Sequence, residues 1–144
     1  MIEIMPMMAE DYEQAHRLWS GTPGVGLGLS DDFDSFVQFL ERNPGLSRVA
    51  LDGPILVGTV LAGHDGRRGT LYHLAVAEHY RHRGIGRLLA NACVDDLRRA
   101  GIKKCGVVVF KQNTEARQFW ESLGWNFRPD VELTQLTLEP GPNR

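Results

Sequence analysis

The spacing of hydrophobic residues changes along the chain and predicts the order of its secondary-structure elements. Period-two alternation and β-branched runs predict strands at residues 2–5, 48–51, 55–61, 70–76, 104–110, 125–128 and 132–138. Spacings of three and four predict helices at residues 8–19, 31–42, 85–100 and 113–123. Strands first, then a strand–helix–strand segment, then terminal strands predict an α+β (mixed α/β) fold, in which helices cover a mixed sheet ahead of a Pro/Gly tail.

Glycine marks the connections between these elements. Asp52-Gly53-Pro54 and Asp65-Gly66-Arg67-Arg68-Gly69 each predict a hairpin turn between two strands. Residues 21–29 are also rich in glycine, but no strand precedes them. We therefore interpret that segment as a mobile connector or lid and not as a phosphate-binding loop.

The second predicted helix begins with a group of polar residues. Ser30 is its predicted N-cap. Asp31, Asp32 and Asp34 follow, and carboxylates at a helix start complement the helix dipole. The same aspartates would also form an acidic rim that attracts a cationic amine, and the two roles are compatible.

The segment Arg81-His82-Arg83-Gly84-Ile85-Gly86-Arg87 lies between a predicted strand and a predicted helix. Its two glycines allow a tight turn and the close approach of another molecule. The first helical turn presents N–H groups without partners, and the helix dipole and the arginines attract an anion to them. A tight turn with solvated arginines is the simpler alternative. The strand, the helix and the arginines together favour a phosphate site.

Two common phosphate-binding loops do not fit this segment. A Walker A loop places Lys and Ser or Thr directly after its last glycine, where this chain has Arg87-Leu88. A dinucleotide-binding G-x-G-x-x-G fingerprint needs glycine at the position of Leu89. A nucleotide-binding protein of an unrelated fold is therefore the weakest functional hypothesis.

Composition and charge limit the class of protein. A chain of 144 residues that is 42% hydrophobic fits one domain, residues 1–144, with a sizeable core. A net charge of −2 gives no general basic field, so we expect no nucleic-acid partner. Without a long apolar run or a secretion signal, we expect a cytoplasmic protein with no membrane partner. Cys93 and Cys105 lack Cys-x-x-Cys spacing and are expected to be reduced core thiols.

Two motifs give the chain a family resemblance. The pattern R-x-x-G-x-G, after Leu74-Ala75-Val76, resembles motif A of the Gcn5-related N-acetyltransferase (GNAT) family. Asn113-x-x-Ala116-x-x-Phe119-Trp120-x-x-Leu123-Gly124-Trp125 resembles motif B of the same family, in the right order and at the right separation. The resemblance spans residues 57–128. Within the family the chain is most similar to the small bacterial RimI-like and YpeA-like enzymes, the latter through the 65–69 hairpin.

The resemblance implies a mostly antiparallel sheet of about six or seven strands with about four helices. Two parallel strands, 70–76 and 104–110, would splay apart around acetyl-CoA. No metal is implied. The residues that the resemblance assigns to the cofactor hold its pantetheine arm, its pyrophosphate or its acetyl end: Leu74, Ala75, Val76, Arg81, His82, Arg83, Gly84, Ile85, Gly86, Arg87, Asn113, Phe119 and Trp120.

The sequence departs from the family at the acid and the base. The tyrosine that often serves as the acid aligns with Trp120, and glutamates used as bases in some relatives align with Thr70 and Val108. Tyr72 is the first remaining candidate, because alternation puts it on the strand face of Thr70. His73 faces the other way unless a β-bulge re-aims it, in which case it is a candidate base. Alternatively, Tyr72 and His73 have only structural roles. Water would then carry the proton, or the thiolate would leave unassisted.

The resemblance implies transfer of an acetyl group to a primary amine, which attacks directly in a ternary complex. The acceptor would be a small molecule or a protein N-terminus or lysine, and the protein a monomer or homodimer. Because the usual tyrosine and glutamates are absent, a non-catalytic acetyl-CoA sensor or regulatory module is the alternative hypothesis.

Overall fold

The computed structural model describes residues 1–139, which divide into two compact units, residues 1–110 and residues from 111 onward. The predicted Pro/Gly tail, residues 140–144, lies outside the described residues. No helix within residues 1–139 is long and apolar enough to cross a membrane.

The larger unit contains one sheet and three α-helices, in the order that the hydrophobic pattern predicts. The strands are β1 (Ile2–Pro6), β2 (Arg48–Asp52), β3 (Ile55–His64), β4 (Gly69–Val76) and β5 (Cys105–Val107), and the helices are α1 (Tyr12–Ser20), α2 (Phe33–Arg42) and α3 (Ile85–Arg99). The strands lie in the order β1-β2-β3-β4-β5. Neighbouring strands are antiparallel except for the parallel pair β4–β5. The mixed, mostly antiparallel α+β fold is thereby confirmed.

Alternation along the strands divides the core between the two faces of the sheet. Val49 belongs to a buried cluster with Trp19 of α1 and Phe36 of α2. Gly58 instead lies against Leu89 of α3, where an added Cβ would be 3.1 Å from the leucine methyl group. Helices α1 and α2 therefore cover one face, and α3 covers the other.

The fifth strand is shorter than the predicted strand 104–110. Its parallel ladder pairs Gly69–Leu71 with Cys105–Val107 and ends there. Val108 and Phe110, beyond the last pair, are 67% and 53% exposed. The predicted strand 104–110 therefore ends at Val107, and its last three residues lie outside the sheet. The parallel ladder ends after three paired positions, as the expected splaying of the two strands requires.

The smaller unit is organised by α4 (Thr114–Ser122) and by contacts that the chain makes just after it. The Trp120 and Trp125 rings pack with their centroids 4.6 Å apart, and the Trp125 N–H donates to the Trp120 carbonyl at 3.1 Å. The guanidinium of Arg117 lies 4.2 Å from the centroid of the Phe127 ring. These short-range contacts fold the chain back onto its own helix.

The predicted strands 125–128 and 132–138 are absent from the described residues. The sheet therefore has five strands there, and the expectation of six or seven was wrong. An apolar pattern makes a strand only where a partner strand supplies the ladder hydrogen bonds. Residues 125–128 instead contact α4, and Leu133 and Leu136 are 65% and 83% exposed.

The α2 helix begins later than the sequence predicts. Residues 29–31 form a 3-10 turn, and the N-cap of α2 is Asp32, whose Oδ1 accepts the Ser35 N–H at 2.8 Å. Ser30 lies inside the 3-10 turn, so the prediction that it is the N-cap was wrong. Asp31 ends this 3-10 turn, and its Oδ2 accepts the Gly28 N–H at 2.8 Å. Similarly, residues 9–11 form a 3-10 turn before α1 begins at Tyr12.

An ion pair between Arg48 of β2 and Asp96 of α3 joins the sheet to the helix. Both side chains are about four-fifths buried, at 21% and 19% exposure. We expect Asp96→Asn to lower the free energy of unfolding by about 1–2 kcal/mol, because it leaves a largely buried guanidinium without its counter-charge. Urea unfolding measures the loss.

Asp95→Asn is the matched control for this prediction. Asp95 is 56% exposed and pairs with the exposed Arg98, so its replacement should cost less than about 0.5 kcal/mol. Equal losses for the two variants would contradict the structural role of the Arg48–Asp96 pair.

Candidate active site

The turn after β4 places the glycine-containing segment at the start of α3, as the sequence predicts. Gly84 is the N-cap of α3 with φ +83°, and His82 also has a positive φ, +63°. The Arg81 guanidinium turns back, and its Nε donates to the Val76 carbonyl at 2.9 Å. One side-chain hydrogen bond therefore fixes the turn to the last residue of β4.

The start of α3 has the hydrogen-bonding pattern of an anion site. The Leu88 N–H donates to the Gly84 carbonyl at 3.1 Å, and the N–H groups of the three preceding residues, Ile85, Gly86 and Arg87, have no carbonyl four residues back within the helix. Gly84 supplies no side-chain cap. An added Cβ at Gly84 would meet nothing within 4 Å, so the approach to the turn is open. The pyrophosphate of a cofactor fits this arrangement.

A second anchor holds the arginines of the turn. The Tyr80 hydroxyl donates to Asp52 Oδ2 at 2.6 Å, which ties the turn to the β2–β3 hairpin. The Arg83 guanidinium lies 5.2 Å from the centroid of the Tyr80 ring, within cation–π range. Tyr80 therefore contacts both Asp52 of the hairpin and Arg83 of the turn.

The β4 strand contains a bulge beside its centre. Thr59 of β3 pairs with Ala75, but Leu61, two residues further on, pairs with Tyr72, three residues back. The extra residue lies next to Tyr72 in β4, and His73 has φ +51°. A β-bulge re-aims side chains, and here it turns His73 towards α1. The condition under which His73 became a candidate base is therefore met.

Three contacts fix the conformation of His73. Its Nε2 lies 2.7 Å from Asp31 Oδ1, and its ring packs edge-to-face on Trp19 with centroids 4.8 Å apart. The Thr59 hydroxyl donates to the His73 carbonyl at 2.9 Å and accepts the Trp19 indole N–H at 2.8 Å. Thr59 is fully buried, so these bonds hold the bulge from inside the core.

Asp31 is itself held by two further hydrogen bonds. Its Oδ2 accepts the Gly28 N–H at 2.8 Å, and its carbonyl accepts the Tyr12 hydroxyl at 2.7 Å. Burial alone would raise the pKa of the Asp31 carboxyl, but the hydrogen bonds from His73 and Gly28 outweigh burial and lower it. The carboxylate is therefore charged at neutral pH.

Tyr72 lies on the same face of the sheet as α2. Its ring meets Phe39 of α2 edge-to-face with centroids 5.9 Å apart, and the residue is 44% exposed. One side of the Tyr72 ring therefore packs against α2, and the other side is open to solvent. Tyr72 and His73 are adjacent in the chain, and both side chains lie on the α1–α2 face.

The motif B residues lie in and around α4 in the smaller unit. Asn113 is the N-cap of α4, and its Oδ1 accepts the Ala116 N–H at 3.0 Å, which leaves its amino group as the end that can donate to a ligand. Phe119 and Trp120 pack edge-to-face with centroids 5.1 Å apart, and Trp120 is only 3% exposed. Trp120 is therefore a core residue of this unit.

The cysteines are free thiols, as predicted. Burial raises the pKa of Cys93 to about 12 and that of Cys105 to about 11, so both are protonated and unreactive at neutral pH. Within residues 1–139 no group of three or more His, Cys, Asp or Glu side chains is placed to hold a metal ion.

A concave pocket lies between the end of α1 and the turn after β4. Its volume is about 410 Å³, in the range of small-molecule sites. Two arginines and one glutamate contribute its charges. The lining residues are Arg17, Leu18, Gly21, Thr22, Pro23, Ala77, Glu78 and Arg81. The glycine-rich connector thus forms one wall of a pocket beside the arginine-rich turn.

Comparison with known proteins identifies the family. The model of the acetyltransferase (GNAT) family matches residues 6–125. The chain therefore belongs to the GNAT acetyltransferase family, whose co-substrate is acetyl-CoA, as its two motifs predicted.

Solved structures share the fold at low sequence identity. The chain is similar to Ard1 from Thermoplasma volcanium, with a TM-score of 0.76 and 18% identity over 85% of this chain and 81% of that one. It is similar to the ribosomal-protein-S18-alanine N-acetyltransferase from Escherichia coli, with a TM-score of 0.73 and 22% identity over 88% and 78%. It is also similar to the PaiA N-acetyltransferase from Thermoplasma acidophilum in complex with coenzyme A, with a TM-score of 0.76 and 18% identity over 92% and 93%.

Proposed function

We propose that this protein transfers the acetyl group of acetyl-CoA to a primary amine, which attacks directly in a ternary complex. The observation that carries the proposal is the uncapped start of α3, which lies next to a β4 strand that has lost its parallel partner after Leu71. The first feature suits a pyrophosphate, and the second leaves backbone groups of β4 available to an extended ligand.

The larger unit supplies most of the proposed cofactor contacts. The N–H groups of residues 82–87 would hold the pyrophosphate, with Arg81, Arg83 and Arg87 neutralising its charge. Leu74-Ala75-Val76 would pair with the pantetheine arm as a neighbouring strand does. A backbone N–H of this stretch would polarise the thioester carbonyl, because a positioned donor stabilises charge that develops on oxygen.

The resemblance of motif B assigns three more residues to the cofactor. The Asn113 amino group would donate a hydrogen bond to the pantetheine arm. Phe119 would provide apolar surface for the acetyl and thiol end, and the buried Trp120, which packs edge-to-face on it, would support that ring. An indole N–H is a donor that does not release its proton, so Trp120 would not act as the general acid.

Acetyl-CoA supplies an activated acetyl group: the amine nitrogen forms a bond to the acetyl carbon as the carbon–sulfur bond breaks and coenzyme A leaves as thiolate. The amine must lose one proton, and Tyr72 and His73 are the side chains proposed to accept it. Thr70 and Val108, which stand where some relatives have glutamate, have no group that can accept it. General acid–base groups contribute about 10²–10⁴-fold to rate, so this choice matters for turnover.

The acceptor is proposed to be a small-molecule amine, a protein N-terminus or a lysine. The E. coli relative is named for a ribosomal-protein alanine, and another structural neighbour is an aminoglycoside acetyltransferase, so both kinds of amine occur on this fold. We also propose a cytoplasmic monomer or homodimer that comprises a single acetyltransferase domain, residues 1–144, without nucleic acid or membrane as a partner.

One observation favours a second candidate function, an acetyl-CoA sensor or regulatory module without catalysis. Trp120 stands where many relatives have the tyrosine that serves as the acid, and its ring packs against that of Trp125. The experiment that separates the two functions mixes the protein with acetyl-CoA and a panel of amines and follows the release of free thiol. Calorimetry with acetyl-CoA checks binding in parallel.

Thiol release that depends on an amine, with an acetylated product of matching amount, supports the transferase. Submillimolar binding of acetyl-CoA with no thiol release from any amine in the panel supports the sensor. Failure to bind acetyl-CoA contradicts both.

A further inference from the structure

We propose that His73 and Asp31 form a proton-accepting dyad, in which His73 takes the proton of the attacking amine and Asp31 is its positioning residue. The inference rests on the proposed function and adds to it a base and a residue from the α1–α2 segment. Asp31 is 42 residues from His73 in sequence, and their side chains meet at 2.7 Å.

The conformation of His73 is costly. A positive φ at a non-glycine residue costs of order 1 kcal/mol and persists only where the surroundings impose it. Here the Thr59 hydroxyl holds the His73 carbonyl, and Trp19 packs on the ring. A regular strand would have placed this side chain on the α3 face without that strain. The bulge brings the ring to Asp31.

The contacts of Asp31 determine which nitrogen of the His73 ring carries the proton. Asp31 has two carboxylate oxygens, and each has one donor: Gly28 N–H on Oδ2 and His73 Nε2 on Oδ1. A charged carboxylate only accepts hydrogen bonds, so a neutral His73 must carry its proton on Nε2. The lone pair is then on Nδ1, which is the nitrogen that can take a proton from the amine.

After proton transfer, the positive charge of His73 is balanced by the negative charge of Asp31. When Nδ1 accepts the amine proton, the ring becomes an imidazolium 2.7 Å from a carboxylate that is already held in place. The two side chains are 13% and 14% exposed, so solvent screens this attraction only partly. The proton subsequently passes to solvent or to the departing thiolate, and the dyad returns to its starting state.

The other groups near the dyad do not compete for the proton. Tyr12 lies on the opposite side of Asp31, and its hydroxyl donates to the backbone; burial and the charges of Asp32 and Asp31 raise its pKa. His16 also faces Asp31, from α1, but its closest polar contact is the Ser20 hydroxyl at 3.5 Å. Trp19 and Thr59 carry no group that accepts a proton near neutral pH. Within the described part of the chain, His73 is therefore the only side chain in hydrogen-bond contact with the Asp31 carboxylate that can accept one.

Asp31→Asn tests the dyad because asparagine offers one acceptor where aspartate offers two. If its oxygen stays on the Gly28 N–H, its amino group faces His73 Nε2 and forces the ring proton onto Nδ1. The lone pair that would take the amine proton is then lost. We expect kcat to fall by about 10²-fold or more, while the Kd for acetyl-CoA changes by less than about threefold.

Asp11→Asn is the matched control. Asp11 ends the 3-10 turn before α1 as Asp31 ends the one before α2, and an asparagine can still accept the Met8 N–H. We expect kcat within about twofold of the wild-type value. With an acceptor amine that stays neutral over the pH range, wild-type kcat/KM should rise with pH, because only the neutral ring accepts a proton. That rise should be absent from Asp31→Asn and from His73→Asn and present in Asp11→Asn.

An NMR measurement checks the same dyad without any acceptor. In the wild-type protein at high pH, the ¹⁵N shifts of the His73 ring should show Nε2 protonated and Nδ1 bare, and Asp31→Asn should reverse them. A wild-type ring protonated on Nδ1, or an Asp31→Asn variant with unchanged kcat and pH profile, overturns the dyad. A wild-type protein that binds acetyl-CoA but acetylates no amine overturns the proposed function and the proton-accepting role with it.

Discussion

Gly86→Val is expected to raise the Kd for coenzyme A by about 10²-fold or more, a loss of about 2.7 kcal/mol of binding free energy. Gly86 is the second residue of α3 and has no positive φ, so valine can adopt its backbone conformation. The branched side chain would stand beside the N–H groups of the first helical turn and keep a phosphate out of hydrogen-bond range. Isothermal titration calorimetry with coenzyme A measures the change.

Asn91→Val is the control for this variant. Asn91 is an exposed residue of the same helix, about one and a half turns beyond Gly86. Its replacement introduces the same side chain into α3 and should leave the Kd for coenzyme A within about twofold. Equal affinity for Gly86→Val and the wild type would rule out the start of α3 as the pyrophosphate site.

Thr59→Val is expected to lower the free energy of unfolding by about 2–4 kcal/mol. Valine has nearly the shape of threonine, so packing in this fully buried position is kept. The hydroxyl is lost, and the Trp19 indole N–H and the His73 carbonyl both lose a hydrogen-bond partner in the core. Each buried polar group without a partner costs about 1–3 kcal/mol. Urea denaturation at pH 7 measures the loss.

Thr59→Ser separates the hydroxyl from the methyl group. Serine keeps both hydrogen bonds and removes one buried methyl, which should cost about 1 kcal/mol. If Thr59→Val were no more destabilising than Thr59→Ser, the hydrogen bonds would not be what holds the bulge. Thr59→Val should also lower kcat, because it releases His73 from its imposed conformation.

The parts of the site that are continuous in sequence were predictable. Glycines, arginines and the start of α3 lie within residues 81–87, so the uncapped helix start there depends on local conformation alone. The β2–β3 and β3–β4 hairpins and α4 were predictable for the same reason. The structure places each within a few residues of its predicted bounds.

The His73–Asp31 contact was not predictable, because it depends on two long-range facts. The bulge in β4 is set by the register of Thr59 and Leu61 in the neighbouring strand. Asp31 reaches the ring from a 3-10 turn that precedes α2, and the sequence pattern did not predict that turn. From sequence alone, Asp31 was one of several carboxylates at a helix start, and an acidic cluster does not say which member has a distant partner.

The prediction of the two terminal strands was wrong because a strand needs a pairing partner. Residues 125–138 have apolar residues at strand-like positions, but a strand exists only if another strand pairs with it. The sequence pattern assigned Trp125 and Phe127 to a sheet, but both side chains pack against α4 instead. Hydrophobic periodicity reports which side chains are apolar, and it does not report their partner.

A crystal structure of this protein with coenzyme A tests the central claim most directly. We expect pyrophosphate oxygens about 3 Å from the backbone nitrogens of residues 84–87, which is ordinary hydrogen-bond distance. We also expect the pantetheine arm to run along Leu74-Ala75-Val76 and the thiol to end beside the bulge at His73. Coenzyme A bound without contact to the first turn of α3, or with its thiol far from His73, would contradict the proposed site.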